Sequence, residues 1–451
     1  MKLPSLPGFD PEAFNKYFKN TGWLMAARVG ALFLKMAVTA VAIPNYLGSS
    51  EYGILNYPLV LVTFFMAASA LGLDSFVTRQ LLQDPQRRDT ILGTAFGMRL
   101  LAGIVALPLI YITYMVITRS ATGSPAAPYD YVAIVSVSCL FQSLNIIDCY
   151  FQARIQGKYI MYIQVGANML SALLKLVLIV LQADLEWFVW ALLSDAVFLA
   201  AGYLYLYQLN GNNVFQWRFD RSVAIHLLKN AWPLAFSSVA IILYMKIDQL
   251  MLDAYLGEAA FGVYAAVVQL SEGWYFIPMA IVTALFPAIM NARRDDAERY
   301  KRRLQQLYEL MVIIASGIAL STTVAAPLIY DIFYTAEYAE GPRVLTVHVW
   351  SGVFMFLYVA SGQYLLAEGY TRISLARAAT GAVVNIVLNS WWIPQFGMIG
   401  AAYATLFTYA TTALFVIFVP KTRGQGWMIL RALLFIPMIQ RLLKRYAGNN
   451  F

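Results

Sequence analysis

Residues 90–117 read TILGTAFGMRLLAGIVALPLIYITYMVI, with Arg99 as their only ionisable side chain. The run is continuously apolar instead of alternating, so it is a helix and not a barrel strand. A helix of this length, at about 1.5 Å per residue, spans a hydrocarbon core of about 30 Å with residues to spare. Eleven more runs of the same kind follow the chain at 22–46, 52–74, 131–151, 159–182, 186–208, 233–255, 261–289, 306–331, 344–367, 373–394 and 397–419. The expected fold is an all-α polytopic membrane protein of about 12 transmembrane helices.

The composition agrees. Of 451 residues, 60% are apolar and 12% charged, and mean hydropathy is +0.63. Ordinary soluble domains carry about 25% charge, which excludes a cytosolic enzyme and a disordered chain alike. Twelve spans with short links leave almost no extramembrane domain. Cys139 and Cys149 fall ten residues apart in one span, about 15 Å along a helix, too far to bridge. The N-terminal stretch MKLPSLPGFDPEAF has three prolines, two acids and no apolar core, so it does not read as a cleaved signal.

Lys and Arg set the orientation. With the N-terminus in the cytoplasm, 25 of the 32 cations collect on one side, Arg372 and Arg377 among them. Arg119 and Arg343 lie opposite, and five lie within spans. Both termini are therefore expected in the cytoplasm. The basic balance is a topology signal, and no nucleic-acid partner is implied. Four regions are expected: a six-helix bundle at 1–208, a cytoplasmic amphipathic linker at 209–232, a second six-helix bundle at 233–420 and a basic tail at 421–451. Within the tail, the apolar patch 427–439 is too short to span and reads as an interfacial helix.

The halves carry a repeat. YLGSSEYG (46–53) and YLGEAAFG (255–262) are offset by 209 residues, with four positions identical and Tyr52 exchanged for Phe261. A weaker echo pairs YFQARIQGKYI (150–160) with YLLAEGYTRIS (364–374). Six spans per half is an even number, so the halves insert in the same direction. Parallel repeats meet about an axis along the membrane normal, and that interface is where a transporter holds its substrate.

Ionisable groups inside spans are costly and mark pathways or buried pairs. The five intramembrane cations are Arg28, Lys35, Arg99, Lys175 and Lys246. Arg28 and Lys35 share a helix face, about 10 Å apart along the axis. Arg28 and Lys175 approach span ends, where snorkelling is an equal alternative. Lys35 and Lys246 are deep, so each lines a watery cavity or joins a buried ion pair. Among the acids, Asp248, Glu272 and Asp195 are candidates for ion coupling or for pairing with a cation. Such a cavity would attract a polyanion, for example a phosphate or diphosphate group. His226 and His348 have no ligand partners at metal spacing, so no metal is expected. HExxH, CxxC, Walker A and GxSxG motifs are absent, so neither catalysis nor a nucleotide engine is expected.

Three stretches, KIDQLMLDAYLGEAAFGVYAAVVQLSEGWYFIPMAI (246–281), YLGSSEYG with ALGLDSFVTRQLL (70–82), and 362–409, resemble Wzx-type lipid-linked oligosaccharide flippases. These form the polysaccharide transporter branch of the multidrug/oligosaccharidyl-lipid/polysaccharide exporter superfamily. The resemblance implies two six-helix bundles in a V, alternating access and a cationic central cavity, with no cofactor. It implies an undecaprenyl-diphosphate-linked oligosaccharide substrate, carried from the inner to the outer leaflet of a bacterial cytoplasmic membrane. The product would be O-antigen, capsule or exopolysaccharide. The implied partners are the membrane lipid, a polysaccharide polymerase and chain-length proteins, around a monomeric transporter. A lipid II flippase and a cation-coupled multidrug exporter are the alternatives. A membrane glycosyltransferase would need a large outer loop, which the sequence lacks.

Overall fold

The computed structural model describes residues 29–120, 126–436 and 440. Arg28, the N-terminal stretch and most of the basic tail lie outside the described residues. Among the described residues there is no strand, and eleven helical paths are long and apolar enough to cross a membrane. The first, Val29–Gln83, is 55 residues long. At about 1.5 Å per residue that is roughly 80 Å, more than twice a hydrocarbon core, so it cannot be one span. It breaks at Gly48, whose φ of 78° and ψ of 173° are not helical. Residues 29–47 form α1, with a π-helical stretch at Ala37–Ala42, and residues 49–69 form α2. Counted this way there are twelve spans, as the hydropathy of the sequence predicts.

The remaining helices of the first half are α3 (Asp74–Gln83), α4 (Arg88–Ser120), α5 (Tyr129–Ser136), α6 (Ser138–Phe141), α7 (Ile146–Ala153), α8 (Gly157–Val180) and α9 (Leu185–Leu209). Helix α3 is a short helix at the cation-rich end. Together α5 to α7 make the fourth span, interrupted by a 3-10 turn at Gln142–Asn145. The second half comprises α10 (Arg221–Leu256), α11 (Glu258–Glu272), α12 (Phe276–Asp295), α13 (Ala297–Phe333), α14 (Gly341–His348), α15 (Ser351–Ala367), α16 (Thr371–Phe396) and α17 (Met398–Leu414). Asp220 and Asp296 accept the first free backbone N–H groups of α10 and α13, which fixes where each helix starts.

Two expectations change. The linker was read as a separate surface helix, but residues 221–232 are the first turns of the 36-residue helix α10. Its Val223, Ala224, Leu227 and Ala231 are buried in the first half's own apolar core, against Leu73, Val77 and Tyr207. Pro233 does not end the helix, because its position continues a path already held by packing on both sides. In the tail, the helix begins earlier than the apolar patch, as α18 (Arg423–Leu433). It buries Ile429 and Ala432, and its Gln425 donates to the Tyr308 hydroxyl of α13. Residues 437–439 of the patch lie outside the described residues.

The repeat reappears as geometry. Gly257, the counterpart of Gly48, has φ 84° and ψ 176°, the same left-handed conformation that a Cβ would strain. The second glycines of the two motifs let the halves touch backbone to backbone. A Cβ on Gly53 would lie 2.1 Å from the Glu258 carbonyl oxygen, and one on Gly262 would lie 1.8 Å from that of Ser49. Position 258 is the counterpart of 49, so each half makes the same contact with the other, as a two-fold axis requires.

Polar contacts reinforce this junction at the cation-poor end. The Ser50 hydroxyl donates to Glu258 at 2.7 Å, and the Ser49 N–H donates to Glu337 at 2.7 Å. The Tyr338 hydroxyl donates to the Pro44 carbonyl at 3.1 Å, the Thr335 N–H donates to Asn45 at 3.0 Å, and the Tyr334 hydroxyl donates to the Ala40 carbonyl. Glu337 lies outside the spans, and the Ser49 N–H, followed by the Ser49 hydroxyl, holds its carboxyl below the usual carboxylate range.

Gly53→Ala is expected to cost about 2–3 kcal/mol of stability by overpacking. Gly30→Ala, where no atom lies within 4 Å, should cost nothing measurable. Denaturant unfolding of both variants in detergent micelles checks this, and equal midpoints would show that the close approach carries no weight. The Glu337 contact should also make stability pH-dependent. Because its folded pKa is depressed, its contribution is complete above the ordinary carboxylate range and is lost as pH falls through the lowered value. Melting curves from about pH 7 to pH 3 should therefore fall less steeply for Glu337→Gln than for the parent protein.

Candidate functional site

The first half holds a partly open cavity of about 220 Å³ whose largely apolar wall carries a set of polar side chains. Five spans supply its walls: Lys35 from α1, Leu59 and Met66 from α2, Ser138, Gln142 and Asn145 from the broken fourth span, Asn168 and Ser171 from α8, and Asp195 from α9. Non-helical backbone at membrane depth is tolerated where it borders a polar cavity, and the 3-10 turn bearing Gln142 and Asn145 does so. One oxygen each of Gln142 and Asp195 is buried without a hydrogen-bond partner. Orphaned acceptors of this kind call for a donor, which water or a sugar hydroxyl supplies.

Lys175 is 1% exposed, and its ammonium donates to Asp195 at 2.7 Å and to Ser171 at 3.0 Å. It stands behind the cavity wall and holds two of the wall's residues in place. Lys35 lines the same cavity and pairs with no acid among the described residues. Lys35, Lys175 and Asp195 thus converge in one place.

Arg99 lies elsewhere. That side chain is 3% exposed, donates to the Ala70 carbonyl at 3.2 Å and to Asp74 at 2.8 Å, and so braces the link from α2 to α3. It does not line the cavity, because its helix face turns toward the cation-rich end of α2. In the second half, Lys246 donates to Glu272 at 2.7 Å between α10 and α11. Asp248 is 1% exposed and accepts from Tyr264 at 2.7 Å, from Thr405 at 2.9 Å and from the Gln249 N–H at 2.9 Å. Its acceptor sites are well occupied, and it does not line the polar cavity. His348 contacts the Ser271 hydroxyl at 2.8 Å within the second half's core.

One residue escaped the sequence reading. Arg377, counted there with the cytoplasmic cations, is 1% exposed within the second half. The signal was present, since the eleventh apolar run starts at 373 and already includes it.

A bundle of twelve membrane helices in two equivalent halves, with a polar cavity inside, defines a polytopic membrane protein with a transporter's architecture. Residues 46–341 match the family described as polysaccharide biosynthesis protein, and the chain belongs to that family. The probable flippase AglR of Haloferax volcanii is 24% identical over 392 residues, covering 82% of this chain and 76% of that protein. Other curated relatives match over shorter regions, which span 38% to 45% of their own lengths. Among solved structures, an inward-facing multidrug resistance transporter of the MATE family, in the MOP superfamily, matches with TM-score 0.66 at 13% identity. That match covers 90% of this chain and 94% of the transporter. The lipid II flippase MurJ, in an inward closed conformation, matches with TM-score 0.65 at 15% identity, covering 93% and 91%. These likenesses establish the two-lobed fold.

Asp195 is 26% exposed but Lys175 only 1%, so removing the acid leaves the ammonium buried and uncompensated, at a cost of about 3–5 kcal/mol. Asp195→Leu alone should therefore be strongly destabilised, and Asp195→Leu combined with Lys175→Met should recover most of the loss. Thermal unfolding of the single and double variants in detergent measures the difference, and additive losses would show that the pair is not coupled.

Proposed function

We propose that the chain is a flippase for polyprenyl-diphosphate-linked oligosaccharides, working by alternating access. It moves an undecaprenyl-diphosphate-linked unit from the inner to the outer leaflet of a bacterial cytoplasmic membrane for surface polysaccharide synthesis. The observation that carries this reading is Lys35. A cation inside a membrane bundle is costly unless paired, and this one borders a polar cavity without a described acid to neutralise it. An anionic head group supplies that counter-charge, while the orphaned acceptors of Gln142 and Asp195 take hydrogen bonds from sugar hydroxyls. The same sign of charge disfavours a cationic drug, because the cavity's one acid, Asp195, is already taken by Lys175. Family membership and the relative named a probable flippase support the substrate class.

In this reading the Lys- and Arg-rich end and both termini face the cytoplasm, in keeping with the positive-inside rule. The hydrogen bonds at the cation-poor end then close the outer side, and access is from the cytoplasm. The transporter is a monomer that hands its cargo to a polysaccharide polymerase and chain-length proteins. The Lys175–Asp195 and Lys246–Glu272 pairs, with Asp248 near the second, are the candidate ion-coupling elements of this reading.

The test is flipping in proteoliposomes with three cargoes: a lipid-linked oligosaccharide, lipid II and a cationic dye. The expected outcome is transport of the first alone, with Lys35→Ala lowering its initial rate at least about tenfold at equal protein levels, about 1.4 kcal/mol or more in the transition state. Unchanged flipping by Lys35→Ala, or transport of the dye, overturns the reading. Preferential movement of lipid II would replace it with the peptidoglycan-precursor alternative.

A further inference from the structure

A second cavity, of about 400 Å³, lies between the two halves toward the cation-rich end. The first half contributes Gly72, Asp74 and Ser75, and the second contributes Ser238, Gln363 and Arg377. Arg377 is held rigidly. Its guanidinium carbon lies 3.7 Å from the centre of the Tyr358 ring. One terminal nitrogen donates to the Ser361 hydroxyl at 2.7 Å, and the other reaches the Tyr358 carbonyl at 3.5 Å.

What it lacks is an anion. No carboxylate among the described residues pairs with it, and its Nε has no hydrogen-bond partner although it is buried. A guanidinium has five N–H donors in a planar fork, and these contacts use two. Asp74 lines the same cavity, but its charge is already met by Arg99 at 2.8 Å. The walls therefore carry one uncompensated positive charge, where a buried and unpaired cation is strongly unfavourable.

We propose that Arg377 is an anion-binding residue, the centre of a second phosphate subsite placed between the halves and separate from the Lys35 cavity. The ligand it takes is a phosphate or diphosphate group, recognised in the bidentate manner that a guanidinium favours. The space is sufficient, since it equals the volume of about a dozen waters at ~30 Å³ each. Ser75 and Ser238 supply hydroxyl donors from opposite halves, so a bound phosphate would bridge them. The proposal rests on the flippase reading only for the identity of the carrier: Arg377 is the loading station that a lipid-linked diphosphate meets before Lys35.

The full chain in lipid nanodiscs is titrated with inorganic diphosphate and, separately, with a short-chain polyprenyl diphosphate, by calorimetry. The expected result is two sites for each probe in the parent protein, one lost in Lys35→Ala and the other in Arg377→Gln. Arg377→Lys should retain the second site with about tenfold weaker binding, because charge remains and the fork is lost. Ser75→Asp, an exposed substitution on the facing wall that leaves Arg377 untouched, should abolish the same site and serves where Arg377→Gln does not fold. Saturation by polyprenyl diphosphate but not by inorganic diphosphate assigns the subsite to a lipid head group, and equal saturation assigns it to the phosphate group alone. Undiminished two-site binding by Arg377→Gln or by Ser75→Asp overturns the proposal, as does a single site that only Lys35→Ala removes. That last result would leave the flippase reading standing.

Discussion

The structure depends on two stretches of backbone approaching more closely than any side chain allows. Gly53 and Gly262 face each other across the axis that relates the halves, and each would drive a Cβ into a carbonyl oxygen of the other half. Because the contact is reciprocal, it fixes both the separation and the relative orientation of α2 and α11. Gly48 and Gly257, in matching left-handed conformations, turn the chain just before those helices so that the close approach is possible. The hydrogen bonds donated by Ser49, Ser50, Tyr338 and, to Asn45, by the Thr335 N–H add directional ties around this point. They gather at one end, so the halves are pinned there and leave a cavity between them nearer the other.

Within that frame, charge pairing separates structural from available cations. Lys175, Lys246 and Arg99 each end on a carboxylate within 2.8 Å. In a medium of low dielectric such pairs are retained because loss of either partner is punishing, not because the pair itself is very stabilising. Among the described residues, two buried or cavity-lining cations within the spans stay outside this scheme, Lys35 in the first half and Arg377 in the second. Each lines a polar cavity, and their different chemistries matter. A flexible ammonium is a point charge, whereas a stacked guanidinium is a fixed fork.

The spans were legible because hydropathy over about twenty residues is a strong signal. The repeat was legible because its glycines serve backbone needs that tolerate no substitute. The site was legible only in part. Position along the span marks Lys35 as deep and Lys175 as near a span end, and the structure gathers both around one cavity. Arg99 is marked only as an intramembrane cation, since sequence does not say which element stands opposite it. The structure puts the α2–α3 link there. Arg377 was missed for a different reason: a cation near a span end counts toward topology unless burial is known. Within the linker expected at 209–232, residues 221–232 join α10 instead of lying on the surface, because an amphipathic helix on a membrane surface and one buried against a neighbouring bundle have the same periodicity.

The two halves began with similar plans and diverged in what fills them. Their fourth spans are both broken, at Gln142–Asn145 past the middle in the first half and around Val349–Trp350, nearer the span's start, in the second. In the first half the break turns polar side chains toward a cavity. In the second, neighbouring groups close on one another: His348 contacts Ser271, and Ser351 donates to the His348 carbonyl. Tyr244, Tyr358 and Tyr409 fill the adjoining space. The second half has a cavity too, of about 460 Å³ beside Trp350, but its wall is almost wholly apolar, so the halves differ in the chemistry of their cavities although the backbone is nearly symmetric. The cations follow the same division: Lys35 borders the cavity inside the first half, and Arg377 of the second half borders the cavity between the halves.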